Sequence, residues 1–179
     1  MMEELIGVSY FYHAVSEALL SKDLYHLYQV CANLIQSDYS KQALEVLQNI
    51  ENRTVERELE ILQEDVFLEG SYRELEKSHL YSAYERSGYQ LEEGYKPDHL
   101  GTELKFLALL CVDGDLVNQY RFIQNRLGWL RDLKDKLKEL PAPGLYSVIG
   151  LLEHFLRDHK SFLFSQLKQQ SQEHQEDRN

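Results

Sequence analysis

Cysteine, proline and long apolar runs are all scarce in this 179-residue chain. The two cysteines, Cys31 and Cys111, are too few for a disulfide framework. Each sits in an apolar run, LYQVCANLI and KFLALLCV, where a reduced thiol packs as a small hydrophobe. A reducing compartment is the expectation. The longest unbroken apolar run, Phe106 to Val112, has seven residues, against the roughly 20 that a membrane-spanning helix needs. Glu3 and Glu4 stand where a secretory signal carries positive charge, with no long apolar stretch behind them. The expectation is a cytoplasmic chain with no membrane span. Positive charge is short as well. Against 30 Asp and Glu there are 19 Lys and Arg, a net −11, which repels phosphate backbones and attracts cationic partners. Nucleic acid is not an expected ligand.

Catalytic signatures are missing too. There is no GxxxxGK[ST] phosphate loop, no GxGxxG, no HExxH, no CxxC and no GxSxG. Seven histidines occur, but no two stand at i, i+3 or i+4 among carboxylates as metal ligation on a helix requires. Strand signals are absent as well, since apolar and polar residues nowhere alternate between turn residues. The expectation is a protein without catalysis, cofactor or metal.

What is present is helical spacing. Leu5, Val8, Tyr12, Val15 and Leu19 trace one stripe of a helix with 3.6 residues per turn. Asp23 is placed to cap a second helix, with Leu24, Leu27, Cys31, Leu34 and Ile35 inward. Leu44 and Leu47 mark a third. Val55, Leu59, Leu62 and Val66 mark a fourth that begins near Thr54. Ser71 to Arg86 reads as a tyrosine-rich helix closed by Gly88. Beyond a central loop, Leu100, Leu104 and Leu107 restart the pattern. Asp113-Gly114-Asp115 turns into a helix with Leu116, Tyr120 and Ile123, and a separate one carries Trp129, Leu133, Leu137 and Leu140. After Pro141-Ala142-Pro143-Gly144 a last long helix holds Leu145, Ile149, Leu152, Phe155 and Phe162. The chain reads as one all-α domain over 1–168, with the loop near 88–97 between two helical halves and a frayed polar tail over 169–179.

Charge is distributed unevenly. Glu51 to Glu76 carries nine acids against three arginines, whereas Arg121 to Glu139 carries six bases against three acids. Most of this is solvated helix surface. The loop and the helix after it stand out in composition. Pro97 drives Lys96 toward an extended backbone, Asp98 is suited to cap the next helix, and His99 follows in its first turn. Asp98 and His99, adjacent in sequence, do not face each other as a proton relay would need. Glu92, Glu93, Asp98 and Glu103 are candidates to surround a groove that accepts an arginine-bearing peptide, because a guanidinium fork matches a carboxylate. Tyr81, Tyr84, Tyr89 or Tyr95 would supply an apolar or stacking wall.

The segment Tyr95-Lys96-Pro97-Asp98-His99-Leu100-Gly101-Thr102-Glu103-Leu104-Lys105-Phe106-Leu107 resembles the TorD/DmsD/NarJ family of redox-enzyme maturation chaperones, close to its pattern E-x-P-D-H-[LI]-x-x-E-L-x-F-[LM]. Ser78-His79-Leu80-Tyr81 is similar to the family's Ser-x-x-Tyr segment. Lys96 stands where the family often has an acidic residue, and the proline-rich loop before Ser-x-x-Tyr is missing. The resemblance implies a TorD-like helical bundle that binds the apo-form of a molybdopterin-dependent oxidoreductase subunit, or its twin-arginine leader. It would assist cofactor insertion and restrain premature export, as a monomer or a helix-swapped dimer. By that likeness Pro97, Asp98 and His99 form the peptide site, with Glu103 beside them. Two other readings compete: a generic acidic helical adaptor for an unrelated basic protein, and a metal-dependent hydrolase using Asp98, His99 and Glu103.

Overall fold

The structure, a computed structural model, describes residues 2–62, 68–69 and 74–176. Among them are eight α-helices: α1 (Met2–Ser21), α2 (Tyr25–Asn33), α3 (Ser40–Glu51), α4 (Thr54–Ile61), α5 (Glu74–Arg86), α6 (Leu100–Val112), α7 (Leu116–Glu139) and α8 (Pro143–Glu176). A 3-10 turn over Leu34–Gln36 follows α2. The protein is an all-α bundle, and the one departure among the described residues is an isolated bridge between Glu69 and His99.

Helix α6 lies at the centre, with ten of its thirteen residues buried. This is why Phe106 to Cys111 is apolar without a polar stripe: a stretch of helix covered on nearly every side has no face that needs polar residues, and only Val112, at the helix end, is exposed. Helix α1 packs against it antiparallel. Ser9 Oγ donates to the Ala108 carbonyl at 3.0 Å, and Ser16 Oγ to the Gly101 carbonyl at 2.7 Å. The approach is close at Gly101, where a Cβ would stand 2.6 Å from Leu20 Cγ. Helices α7 and α8 form an antiparallel pair, tied by Lys134 to Glu153 at 2.9 Å. Helix α3 runs antiparallel along the first half of α8, with Asn49 donating to Ser147 Oγ and Gln42 meeting His154. The start of α8 is capped from a distance. Glu58 of α4 accepts from the backbone N–H groups of Gly144 and Leu145 at 3.1 and 2.6 Å, placing a negative charge at a helix N-terminus.

The first stripe is buried as expected at Tyr12, Val15 and Leu19. Glycines Gly88 and Gly114, both at positive φ, end α5 and α6. Tyr89 N–H bonds back to the Tyr84 carbonyl and Asp115 N–H to the Leu110 carbonyl, the six-to-one bond of a Schellman motif in each case. Asp115 caps α7 through the Asn118 N–H. Asp23 accepts from the Tyr25 N–H at the start of α2.

Other expectations are corrected. The two helices expected between Leu116 and Leu140 are one, because α8 offers a packing surface along its length and Gly128, exposed inside it, costs only about 1 kcal/mol against alanine. Leu44, Ile35 and Leu140 face solvent, and the inward residues of α3 are Ala43, Val46 and Leu47. Helix α4 ends at Ile61, and Val66 lies outside the described residues. So do residues 71–73 of the expected tyrosine-rich helix. The polar tail expected to fray continues α8 to Glu176.

Candidate peptide-binding hollow beside the central loop

A second, smaller apolar cluster positions the loop. Leu80 and Tyr84 of α5 pack on Phe106 and Leu110 of α6, with Tyr89 and Phe122 at its edge. The Tyr84 ring meets Phe106 at 4.7 Å and Tyr89 at 5.1 Å between centroids, both edge-on. Its hydroxyl donates to the Pro97 carbonyl at 2.6 Å. The loop is thereby drawn back across α5 as a strap. Pro97 is buried, and Asp98 and His99 are 3% and 5% exposed.

At the strap's far end the structure corrects the capping residue. His99, not Asp98, is the N-cap of α6: its backbone is extended, and its Nδ1 accepts from the Gly101 N–H at 3.0 Å. The cause lies outside the helix. The Leu100 N–H is taken by the Leu68 carbonyl at 2.8 Å, and the Glu69 bridge holds His99 out of helical conformation, so the helix starts one residue later than composition suggests. Asp98 is left on the flank that faces α5.

Between that flank and α5 lies an open hollow of about 630 Å³. Ser78, Tyr81, Ser82 and Glu85 line one wall, and Glu69, Lys96, Pro97 and Asp98 the other. Its acidic and basic side chains, apart from the Tyr81 phenol, are three carboxylates and one ammonium. Tyr81 is 47% exposed and gives the hollow an aromatic rim. The site can accept a cationic side chain flanked by an apolar one. On the opposite side of α5 a second hollow of about 560 Å³ has Phe106, Leu110 and Phe122 in its lining, with Arg86, Asp113 and Arg121 also contributing.

The sequence-expected residues are thus divided. Tyr81, Pro97 and Asp98 come together at the hollow, and Tyr84 lies beneath the strap as its support. The four carboxylates expected around one groove do not share it. Glu103 is 1% exposed in the first turn of α6, Glu93 points to solvent, and Glu92 pairs with Lys105 at 2.6 Å. Tyr95 is half-buried, with Lys105 Nζ 5.7 Å from its ring centre. Burial pulls the Lys105 ammonium down, but the Glu92 hydrogen bond and charge outweigh it and hold its pKa above the usual lysine value. Burial raises the Tyr89 phenol. It also pushes the Cys31 and Cys111 thiols up to about 12, so neither is a nucleophile near neutrality. Glu69, Ser78, Ser82, Glu85 and Lys96 were missed. Ser78, Tyr81, Ser82 and Glu85 fall at i, i+3, i+4 and i+7, a face that helical spacing displays once α5 is recognised. Glu69 has no such signal.

Among the described residues no three His, Cys, Asp or Glu side chains gather as metal ligands, and no helix is long and apolar enough to cross a membrane. Residues 55–143, about half of the chain and the whole of the acidic hollow, match the family model described as the nitrate reductase delta subunit. The chain belongs to that family. No curated protein and no solved structure matches it. Delta-subunit family proteins are chaperones of molybdoenzyme maturation, acting on a molybdoenzyme catalytic subunit and not themselves catalytic. The strap, helix α5 and the central helix α6 all lie within the delta-family segment.

Proposed function

We propose that this chain holds the twin-arginine leader, or another segment of the apo-form, of a molybdopterin-dependent oxidoreductase catalytic subunit in the cytoplasm. It assists cofactor insertion and restrains premature export. The peptide seat is the acidic hollow, with Tyr81, Pro97 and Asp98 in contact and Tyr84, His99 and Glu103 behind them. The observation that carries this reading is the hollow's chemistry: three carboxylates and an aromatic rim shared between α5 and the wall opposite, where a buried bond holds the strap, within the segment that matches the family. Such a surface favours a cation with an apolar neighbour, since Lys96 is the one positive charge in its lining against three carboxylates.

Titration with a twin-arginine leader peptide from a neighbouring molybdopterin oxidoreductase gene tests it, against the same peptide with both arginines changed to alanine. The expected loss for the alanine peptide is about tenfold at low salt, from two screened charge-assisted contacts, and it shrinks as salt rises. Equal affinity for the two peptides removes arginine recognition from the site. Copurification of the chain with a basic protein unrelated to molybdoenzymes would favour a general acidic adaptor instead.

A further inference from the structure

The hollow already contains a cation of the chain's own. The Lys96 ammonium pairs with the Glu69 carboxylate, on a lysine side chain 52% exposed and a glutamate 24% exposed. Pro97 restricts the Lys96 backbone to extended conformations, and the carbonyl of Pro97 is held by Tyr84, so the ammonium is tethered at short range to its partner. A tethered group acts at high effective concentration, which any competitor from solution must overcome. We propose that Lys96 is the specificity determinant of the hollow: a resident ammonium that an incoming ammonium cannot profitably replace, but a guanidinium can. This inference rests on the peptide seat proposed above and names what that seat selects.

The physical difference lies in the donors. An incoming lysine offers the same point charge and the same three donors as Lys96, and it must be immobilised as well, so the exchange at Glu69 returns nothing. A guanidinium is planar, less strongly hydrated and carries five donors in a fork. It can engage two carboxylate oxygens together while Lys96 remains, or take over Glu69 with a bidentate bond. Glu85, exposed in the same lining, enlarges the carboxylate surface that a fork can reach and a point charge uses only in part. Lys96 therefore lowers the affinity for every cationic peptide, and for a lysine-bearing one most.

The test uses the full chain and its Lys96→Gln variant, titrated at low salt with a leader peptide in twin-arginine, twin-lysine and twin-alanine forms. Lys96→Gln is expected to bind the arginine peptide about two- to fivefold tighter and the lysine peptide by a larger factor, so that the preference for arginine narrows. Lys96→Arg, which keeps the charge, is expected to stay below Lys96→Gln for both peptides. Lys168→Gln, an equal change of net charge at an exposed position far along α8, is expected to leave the affinities unchanged. The inference is overturned if Lys96→Gln behaves as the unaltered chain, or if Lys168→Gln reproduces its effect. An unaltered chain that binds the arginine and alanine peptides equally would overturn the seat itself, a different result from a seat that discriminates but ignores Lys96.

Discussion

Removing a single oxygen, by Tyr84→Phe, isolates the bond on which the strap depends. The ring remains to pack on Phe106 and Tyr89, so the small apolar cluster keeps its volume. What disappears is the 2.6 Å hydrogen bond to the Pro97 carbonyl, a buried contact. A typical bond contributes about 0.5–1.5 kcal/mol net, and a buried acceptor left unsatisfied costs about 1–3 kcal/mol. The expected loss is about 1–2 kcal/mol, since the strap can shift and admit water to its carbonyl. For a domain of 179 residues each kcal/mol moves the melting temperature by about 2–4 °C, giving a fall of about 2–8 °C. Because the same strap carries Pro97 and Asp98 into the hollow, affinity for the arginine leader should drop about threefold or more. Thermal melts and peptide titration of the same sample read both effects, with the exposed Tyr10→Phe as the control, expected within about 0.5 kcal/mol. A Tyr84→Phe protein that melts within a degree of the unaltered chain and binds the leader equally well would refute the reasoning.

Three further outcomes are expected. Glu58→Ala should destabilise the fold by about 1–2 kcal/mol in chemical denaturation, because the first free N–H groups of α8 lose both a bonding partner and a favourable charge; an unchanged midpoint would show that water replaces the carboxylate at no cost. Gly101→Ala should cost about 1–3 kcal/mol as Leu20 is driven aside and α1 lifts from α6, and a smaller cost, within about 0.5 kcal/mol, would mean that the half-buried Leu20 rotates away freely. His159, whose Nδ1 lies 2.7 Å from the Tyr12 hydroxyl, is held by burial down to about 4 from an ordinary value near 6.5. The unfolded chain then binds a proton that the folded one refuses. Stability should therefore be full above about pH 6.5 and fall as pH drops toward 4, by an amount on the order of 3 kcal/mol. Melts across that window should lose much of this slope in His159→Gln, and an equal slope in both proteins would assign it to other groups.

Much of the fold was readable from residue spacing, and the misreadings have local causes. The burial of Tyr12, Val15 and Leu19, the Asp115 cap and the glycine stops at Gly88 and Gly114 each depend on residues within one or two turns of one another. Where a distant segment intervened, spacing failed. Asp98 is the better capping residue by composition, yet His99 takes the position because Leu68 and Glu69 hold the strap from another part of the chain. Helix α7 runs unbroken because α8 covers it, and Leu44 and Ile35 face solvent because no neighbour among the described residues lies over them. Of the candidate site residues, Tyr81, Pro97 and Asp98 were legible as a group. Glu92 was assigned to a common groove on charge and Glu103 on charge and the family resemblance, whereas Lys105 claims the first and burial in the first turn of α6 encloses the second.

By itself the sequence determined the helical class and most of its stops, because periodicity and caps are properties of a short stretch of backbone and repeat wherever the side chains demand them. Only the tertiary structure decided which carboxylates meet. Glu69, Glu85 and Asp98 face one hollow because a backbone bond from Leu100 to Leu68 and a hydroxyl from Tyr84 to Pro97 fold the strap over α5. Those bonds join residues whose separation along the chain carries no period, so nothing in their spacing announces the contact.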